Sequence, residues 1–476
     1  MKSALLISLS AASLLLCACR GGDTPIETAP ETAPDGIAVY DRAAPPQSPI
    51  VDWVSAQLDE GLEVHFADPL DAAAAEFVQL ALHMGRLDAD YVDAYHGPPA
   101  WQKQAAALTP DPAGLAENIT ALRARLQSLG RLTPTDSLRT SQLDKLLRAM
   151  QVRLTVIQGG SVSFVTEVSE IYDEVYPDYN LSEFDTVLGE IDALLPGEAP
   201  LAQRVTAFRN SLAIPKDRLQ TVFDRAIGEC RARTLKYFDL PETESFTLSF
   251  VTDKAWSGYN YYQGGYKSRI EINTDFPIII DRAVDLGCHE GYPGHHVWNL
   301  LIEKELVETR GWIEYSVNPL FGPFGPIAEG SANAGIRLAF PGSEKLDFER
   351  EVLFPLAGLD AAQADTLDRL NQLTRKLSHA TNEIARHYLD GTLTYPDALA
   401  QMQKYYLASA EKSAQRLRFV DKYRGYVINY NIGRDRAEAW MAFKAPDGPE
   451  AADWAAFQDM LITPLTPGDI EQALSQ

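Results

Sequence analysis

His289-Glu290-Gly291-Tyr292-Pro293-Gly294-His295-His296 gathers three of the chain's eight histidines into eight residues. Upstream, Asp275-Phe276-Pro277 followed by Ile278-Ile279-Ile280 predicts a helix start, with Asp275 as cap and proline in the first turn. Downstream, Val297-Trp298-Asn299-Leu300-Leu301-Ile302 has the apolar spacing of a buried helix. The stretch therefore lies on one kinked helix or on two abutting ones. A proline inside a helix removes a backbone hydrogen bond and bends it.

Two histidines four residues apart on a helix aim both rings at one metal ion. A glutamate beside the first then reaches a metal-bound water as base. Here proline occupies position 293, where the second histidine of that pattern would stand. Two geometries restore the pair. On an unbroken helix His296 returns to nearly the face of His289, about 10 Å along the axis. On a helix bulged at Pro293-Gly294 the phase resets and His295 takes the ligand place. The bulged version is preferred, with His296 the other choice. A third ligand is expected from Glu329 in Ile327-Ala328-Glu329-Gly330-Ser331-Ala332, a lone carboxylate among small residues that suits close packing on the metal helix. Zinc is the expected metal, and Glu290 the general base that activates a zinc-bound water. The competing readings are a helix break with idle histidines and a helix-N-terminal glutamate favoured by the dipole.

Before this stretch the chain reads as helix. Asp68-Pro69 opens a segment over 70–85, Asp111-Pro112 another that Gly130 ends, and 136–157 a third. Ser182-Glu183-Phe184-Asp185 suggests a capping box, Pro196-Gly197 a break, and 215–238 one long helix. His83 and His96 stand alone there and read as packed or surface groups. From Ser245 the pattern alternates: Phe246, Leu248 and Phe250, then Gly258 to Tyr266 with a Gly264-Gly265 turn, then Arg269 to Asn273. A strand at that place can edge the cleft and pair with an extended peptide, or be a plain structural hairpin. Helices resume over 347–389, 395–417 and 435–444. His379 and His387 have no carboxylate motif between them and read as structural.

The first 19 residues carry Lys2, an apolar run from Ala4 to Leu16, and Leu16-Cys17-Ala18-Cys19, which matches a lipoprotein cleavage box. The run is too short to span a bilayer. Cys19 is the expected lipidation site, and Arg20 after it favours the outer membrane, facing the periplasm. Residues 19–48 read as a flexible tether. The net charge is −24, and removal of 1–18, whose only charge is Lys2, leaves −25. So acidic a surface argues against nucleic acid and against a polybasic membrane patch, leaving the lipid as the only membrane contact. Cys230 and Cys288 remain in a compartment that permits a disulfide; sequence does not say whether they pair, and Cys288 reads as a small buried residue.

The central stretch resembles the HExxPGHH signature of the bacterial family called domain of unknown function 885, grouped with gluzincin-type metallopeptidases. Glu329-Gly330-Ser331-Ala332 resembles its EGWA segment, with Ser331 in place of tryptophan. Tyr91-Val92-Asp93-Ala94-Tyr95-His96-Gly97-Pro98-Pro99 resembles a segment near the family's N-terminus. Tyr423 to Gly433 resembles its PGQ…YxIG segment, with Tyr423-Arg424-Gly425-Tyr426 departing from PGQ. The likeness covers roughly residues 70 to 470. It implies a mainly α, gluzincin-like fold with a small antiparallel sheet beside the active-site helix, zinc, and peptide hydrolysis. It also implies a role for Tyr430, whose phenol would steady the oxyanion, as against a core tyrosine. Arg434 or Arg424 would hold a substrate carboxylate. The expected organisation is signal peptide 1–18, tether 19–48, helical region 49–240 and catalytic region 241–476, the last two forming one continuous domain. The partners are a peptide substrate and the membrane through the lipid; oligomeric state is not legible. The rival functions are a catalytically degenerate binding or envelope lipoprotein and a zinc hydrolase of non-peptide amides or esters.

Overall fold

The computed structural model describes residues 36–43, 48–130, 132–446 and 450–476. The expected signal peptide, Cys19 and most of the expected tether lie outside the described residues. The described part of that tether is folded: strand β1 (Ile37–Tyr40) runs parallel to β2 (Glu63–Phe66). Tyr40 is buried and packs on Trp53 and Phe66. The polar composition of the stretch as a whole hides these four strand-forming residues.

Helices dominate, as the patterning predicts. Asp68, Asp111 and Thr133 each precede a proline and cap the helices Pro69–Leu87, Pro112–Gln127 and Pro134–Ile157 through a side-chain oxygen on a free backbone N–H. Such a cap contributes about 1 kcal/mol. Their apolar stripes meet segments between Leu306 and Ile432 in one core. Arg139 is fully buried there, held by Asp71 and, at 2.5 and 2.8 Å, by Glu314. That bidentate pair ties the first half of the chain to the segment just before the helix of Glu329. A second core joins the helix Leu219–Thr234, the sheet, the segment around His289 and the helices Gly325–Ala339 and Glu450–Ile462.

Several boundaries differ from expectation. The run 347–389 is cut at Gly358, which takes a left-handed φ of 72°, and 395–417 is cut after Tyr405, where Leu407 does the same at 53°. The helix expected over 215–238 is Leu219–Thr234. No capping box forms at Ser182; Asn180 caps that turn instead. Asp275 caps no helix. Its carboxylate accepts from the backbone N–H groups of Asp253 (2.9 Å) and Lys254 (3.3 Å). Ile279 forms an isolated antiparallel bridge with Ala213, flanked by backbone bonds from Ile214 to Ile278 and from Ile280 to Leu212, and the helix begins only at Arg282. An apolar run this short suits either conformation, and the tertiary partner decides.

Beside the His289 segment lie three strands in the order β4-β6-β5: β4 (Ser245–Val251), β5 (Gly258–Gly264) and β6 (Lys267–Asn273). β5 and β6 form the expected antiparallel hairpin, whereas β4 adds parallel to β6, so the sheet is mixed rather than antiparallel throughout. The crossover from β4 to β5 is what permits the parallel pairing. The strand β3 (Val92–Tyr95) pairs with β7 (Val317–Pro319) close by.

Candidate metal centre

The helix from Arg282 widens into a π-turn over Gly287–Gly291, breaks, and resumes at His295–Leu301. At the break, Gly294 N–H donates to the Cys288 carbonyl at 3.0 Å. A Cβ at position 294 would lie 1.8 Å from the His289 carbonyl oxygen, so only glycine fits. The extra residues reset the phase, and the rings of His289 and His295 meet edge-to-face with centroids 4.6 Å apart. Of the two geometries that the histidine spacing allows, this is the bulged one. His296, turned by about 100° from its neighbour, points elsewhere. Its Nε2 lies 3.0 Å from Glu244 and its Nδ1 2.8 Å from Ser268 Oγ, fully buried. It therefore does not join the cluster.

Glu329 arrives from the helix Gly325–Ala339. Small residues let that helix sit close to its neighbour Ile432–Lys444: a Cβ at Gly330 would fall 2.2 Å from the Gly433 carbonyl. Glu329 Oε2 stands 3.1 Å from His289 Nε2 and 3.5 Å from His295 Nε2. One donor atom from each of the three lies within 4.8 Å of the others. Ligand atoms of a tetrahedral zinc ion with bonds of about 2.1 Å stand about 3.4 Å apart, so two nitrogens and an oxygen at this spacing fit zinc and leave a fourth position open. Asn333 Oδ1 lies 3.2 Å from His289 Nδ1. A proton on Nδ1 shared with that oxygen frees Nε2 to bind metal. Tyr426 donates to Glu329 Oε1 at 2.5 Å.

The charges of the cluster act on one another. Burial alone would push His295 down, yet the Glu329 and Glu290 carboxylates outweigh it and hold it up, at about 9. Glu329 is buried but is pulled well below the carboxylate range by His295 and His289. Burial pushes Glu290 up, against the pull of the two histidines. Carboxylates this buried are stable only beside positive charge.

Glu290 lines a cleft of about 1360 Å³, together with His289, His295, Glu329 and Tyr430. β5 borders it closely: Asn260 Nδ2 donates to the Glu290 carbonyl at 2.7 Å, and a Cβ at Gly258 would stand 2.7 Å from Glu290 Oε1. Tyr430 packs edge-on to Tyr426, and burial, then Glu329, raises its phenol far above the ordinary value. Ser331 is buried, its hydroxyl on the Ala328 carbonyl at 3.2 Å.

Cys288, next to His289, forms a disulfide with Cys230, so it is a bridge to the helix Leu219–Thr234 rather than a lone buried thiol. Arg424 is turned away from the cleft onto buried Glu167 at 2.7 Å, with a left-handed φ of 50°. Arg434 lines the cleft but is paired with Asp435 at 3.1 Å. His96 faces Glu303 and Tyr262, while His379 stacks on Tyr179 and meets Asp435. Sequence reading missed Asn333, one helical turn after Glu329, and Tyr426; the four-residue spacing of Glu329 and Asn333 was the available signal for the first. It also missed Asp93, which lines the cleft and is pushed by burial up to about 6, although Tyr259 hydrogen-bonds to it.

No family model matches the chain, and no curated protein matches it. Solved structures resemble it distantly. A candidate lipoprotein from Colwellia psychrerythraea is 14% identical over 76% of this chain and 66% of that one, with a TM-score of 0.49. A candidate lipoprotein of unknown function from Shewanella oneidensis is 14% identical over 77% and 71%, at 0.44. The M32 carboxypeptidase from Deinococcus radiodurans R1 is 16% identical over 86% and 95%, at 0.41. The chain thus spans just under two thirds of the length of the Colwellia protein. At these scores the likenesses do not establish a common fold.

Proposed function

We propose that this chain is a zinc-dependent metallopeptidase of the bacterial cell envelope, related to the family of domain of unknown function 885 and anchored by lipid at Cys19 on the outer membrane, facing the periplasm. The observation that carries the enzyme reading is the convergence of His289, His295 and Glu329 on one point, with Glu290 and Tyr430 on the same cleft. Zinc bound by those three side chains would supply Lewis-acid chemistry at the scissile carbonyl. Asn333 and Tyr426 orient two of the three ligands. Glu290 takes the proton of the attacking water and passes it to the leaving amine. Tyr430 donates its phenolic proton as a hydrogen bond to the carbonyl oxygen as charge builds there. β5, at the cleft edge, offers backbone groups to an extended peptide.

The test is elemental analysis of purified protein together with turnover of a broad peptide library by wild type and Glu290→Gln. Stoichiometric zinc with turnover that the substitution abolishes supports the reading. Zinc-loaded wild type that cleaves no peptide sinks it. Labelling with radioactive palmitate, lost in Cys19→Ala, tests the anchor.

A further inference from the structure

Although the chain carries a net charge of −24, one part of the cleft gathers four cations with few direct ion pairs. Arg209 comes from the helix Leu201–Ser211, Arg282 opens the helix that runs on to His289, and Lys412 and Arg416 stand one turn apart on Ala410–Tyr423. All four line the same cleft as the metal cluster, together with Tyr406. Among the described residues Arg209 donates to one side chain, Thr374 (3.2 Å), and Lys412 to one, Gln415 (2.8 Å), while Lys412 also stands over the Phe276 ring at 4.3 Å. Arg416 has no ion-pair partner there, and Arg282 has a long contact of 3.4 Å with Asp285, which Lys345 also holds at 3.2 Å. Two further carboxylates stand nearby: Asp281, which accepts from Asn371 at 2.7 Å and bears on Arg209, and Asp275, which takes two backbone N–H groups and bears on Lys412.

All four cations bear on Tyr406. Burial pushes its phenol up, but Lys412, Arg416, Arg209 and Arg282 outweigh it and the net shift is down. Other cleft tyrosines, Tyr423, Tyr426 and Tyr430, shift up. Lys412 is itself pushed down, by burial and then by Arg282 and Arg416. Grouped like charges oppose folding unless an anion joins them.

We propose that Arg209, Arg282, Lys412 and Arg416 form a carboxylate-binding subsite around Tyr406 that seats an acidic group of the peptide whose scissile bond lies at the metal centre; the proposal rests on the peptidase reading. Guanidinium forks suit carboxylates, which they hold through two parallel bonds. Arg282 precedes His289 by seven residues, about 10 Å along a helix. An extended peptide rises about 3.4 Å per residue, so a short peptide spans an interval of that order. Its source is either the peptide's own C-terminus or an acidic side chain. The sequence placed this role on Arg434 or Arg424; both have acidic partners within the protein.

The test is calorimetric binding to the zinc-loaded Glu290→Gln protein, so that no turnover intervenes. The probes are tetra-alanine, its C-terminal amide, and that amide with glutamate at the third position. At least one carboxylate-bearing probe is expected to bind about tenfold tighter than the plain amide, one charge-assisted contact's worth. That advantage disappears in Arg416→Gln and Lys412→Gln and returns in Arg416→Lys. A preference for the free terminus assigns the C-terminal carboxylate, and a preference for the glutamate assigns a side chain. Equal binding of all three probes, or an advantage untouched by both Gln substitutions, overturns the subsite. Circular-dichroism melts show which variants are folded and therefore count. Peptide cleavage by wild type without carboxylate preference would sink the subsite alone. Zinc-loaded wild type that cleaves no peptide, with the binding difference intact, would sink the peptidase reading alone.

Discussion

His295 and His296 are adjacent in the chain and enter two histidine–glutamate clusters of opposite character. His296 and Glu244 have side chains 0% and 2% exposed, and their polar atoms face partners within the protein: Ser268 on one side of the imidazole, and Tyr292, Arg231 and His296 on the carboxylate. His295, His289 and Glu329 border the cleft, and three of their donor atoms crowd one point. The first cluster is satisfied internally and holds the fold together. In the second the donor atoms face one another at the cleft, with Glu329 3.1 Å from His289 and 3.5 Å from His295. The same residue types can build a core or line a cleft according to where the backbone places them.

Substitutions can separate the two clusters, and the largest effects belong to the open one. Glu329→Gln should lose bound zinc on elemental analysis, whereas Glu290→Gln should keep it and lower turnover by about 10²–10⁴-fold. If both variants retain full zinc, Glu329 is no ligand. Next in size is the bridge that braces the broken helix from the sealed side. Closing a 58-residue separation, the Cys230–Cys288 disulfide should contribute about 4 kcal/mol on a chain-entropy account. Denaturant melts of Cys230→Ala/Cys288→Ala against wild type measure it, and an unchanged midpoint refutes it.

His296→Ala comes third. It removes one of three partners of the Glu244 carboxylate, leaving Arg231 and Tyr292, opens a cavity at a fully buried ring, and should cost about 3 kcal/mol, with zinc stoichiometry unchanged; loss of zinc in a folded protein would erase the contrast between the clusters. The pH dependence belongs to the same cluster. Burial would raise Glu244, but hydrogen bonds from His296, Tyr292 and Arg231 hold it down at about 2. A carboxyl lowered on folding stabilises fully above its unfolded value of about 4.3, and that stabilisation drains away as pH falls toward the folded value. Melts between those limits should show a slope that flattens in His296→Ala. Smallest is Asn333→Ala, which frees the His289 ring to rotate and should weaken zinc affinity about 10–100-fold, measured by competition with a chelator.

The helical layers were legible because Asp-Pro and Thr-Pro starts and apolar stripes are local signals, as at Asp68 and Asp111. Glu329 was legible because a lone charge among Gly, Ser and Ala stands out without any partner in view. Asn333, Tyr426 and Asp93 were not. Asn333 and Tyr426 act through contacts with His289 and Glu329, which lie 44 and 97 residues away. Asp93 meets Tyr259 across 166 residues, and no periodicity encodes such pairings. The Asp275 helix start failed because Ile278 to Ile280 had a tertiary strand partner that a run of three isoleucines does not reveal.

The sequence by itself determined that the fold is mainly helical and that three histidines and two glutamates were the residues to watch, because residue chemistry and helical periodicity are properties of the chain. Only the tertiary structure decided which histidine of the His295-His296 pair turns toward the cleft. That choice rests on the widened turn at Gly287–Gly291 and the close approach at Gly294, which rotate the restarted helix. A rotation of about 100° separates neighbouring residues on a helix, so a phase set by backbone packing, which composition does not carry, sends one imidazole to Glu329 and the next to Glu244.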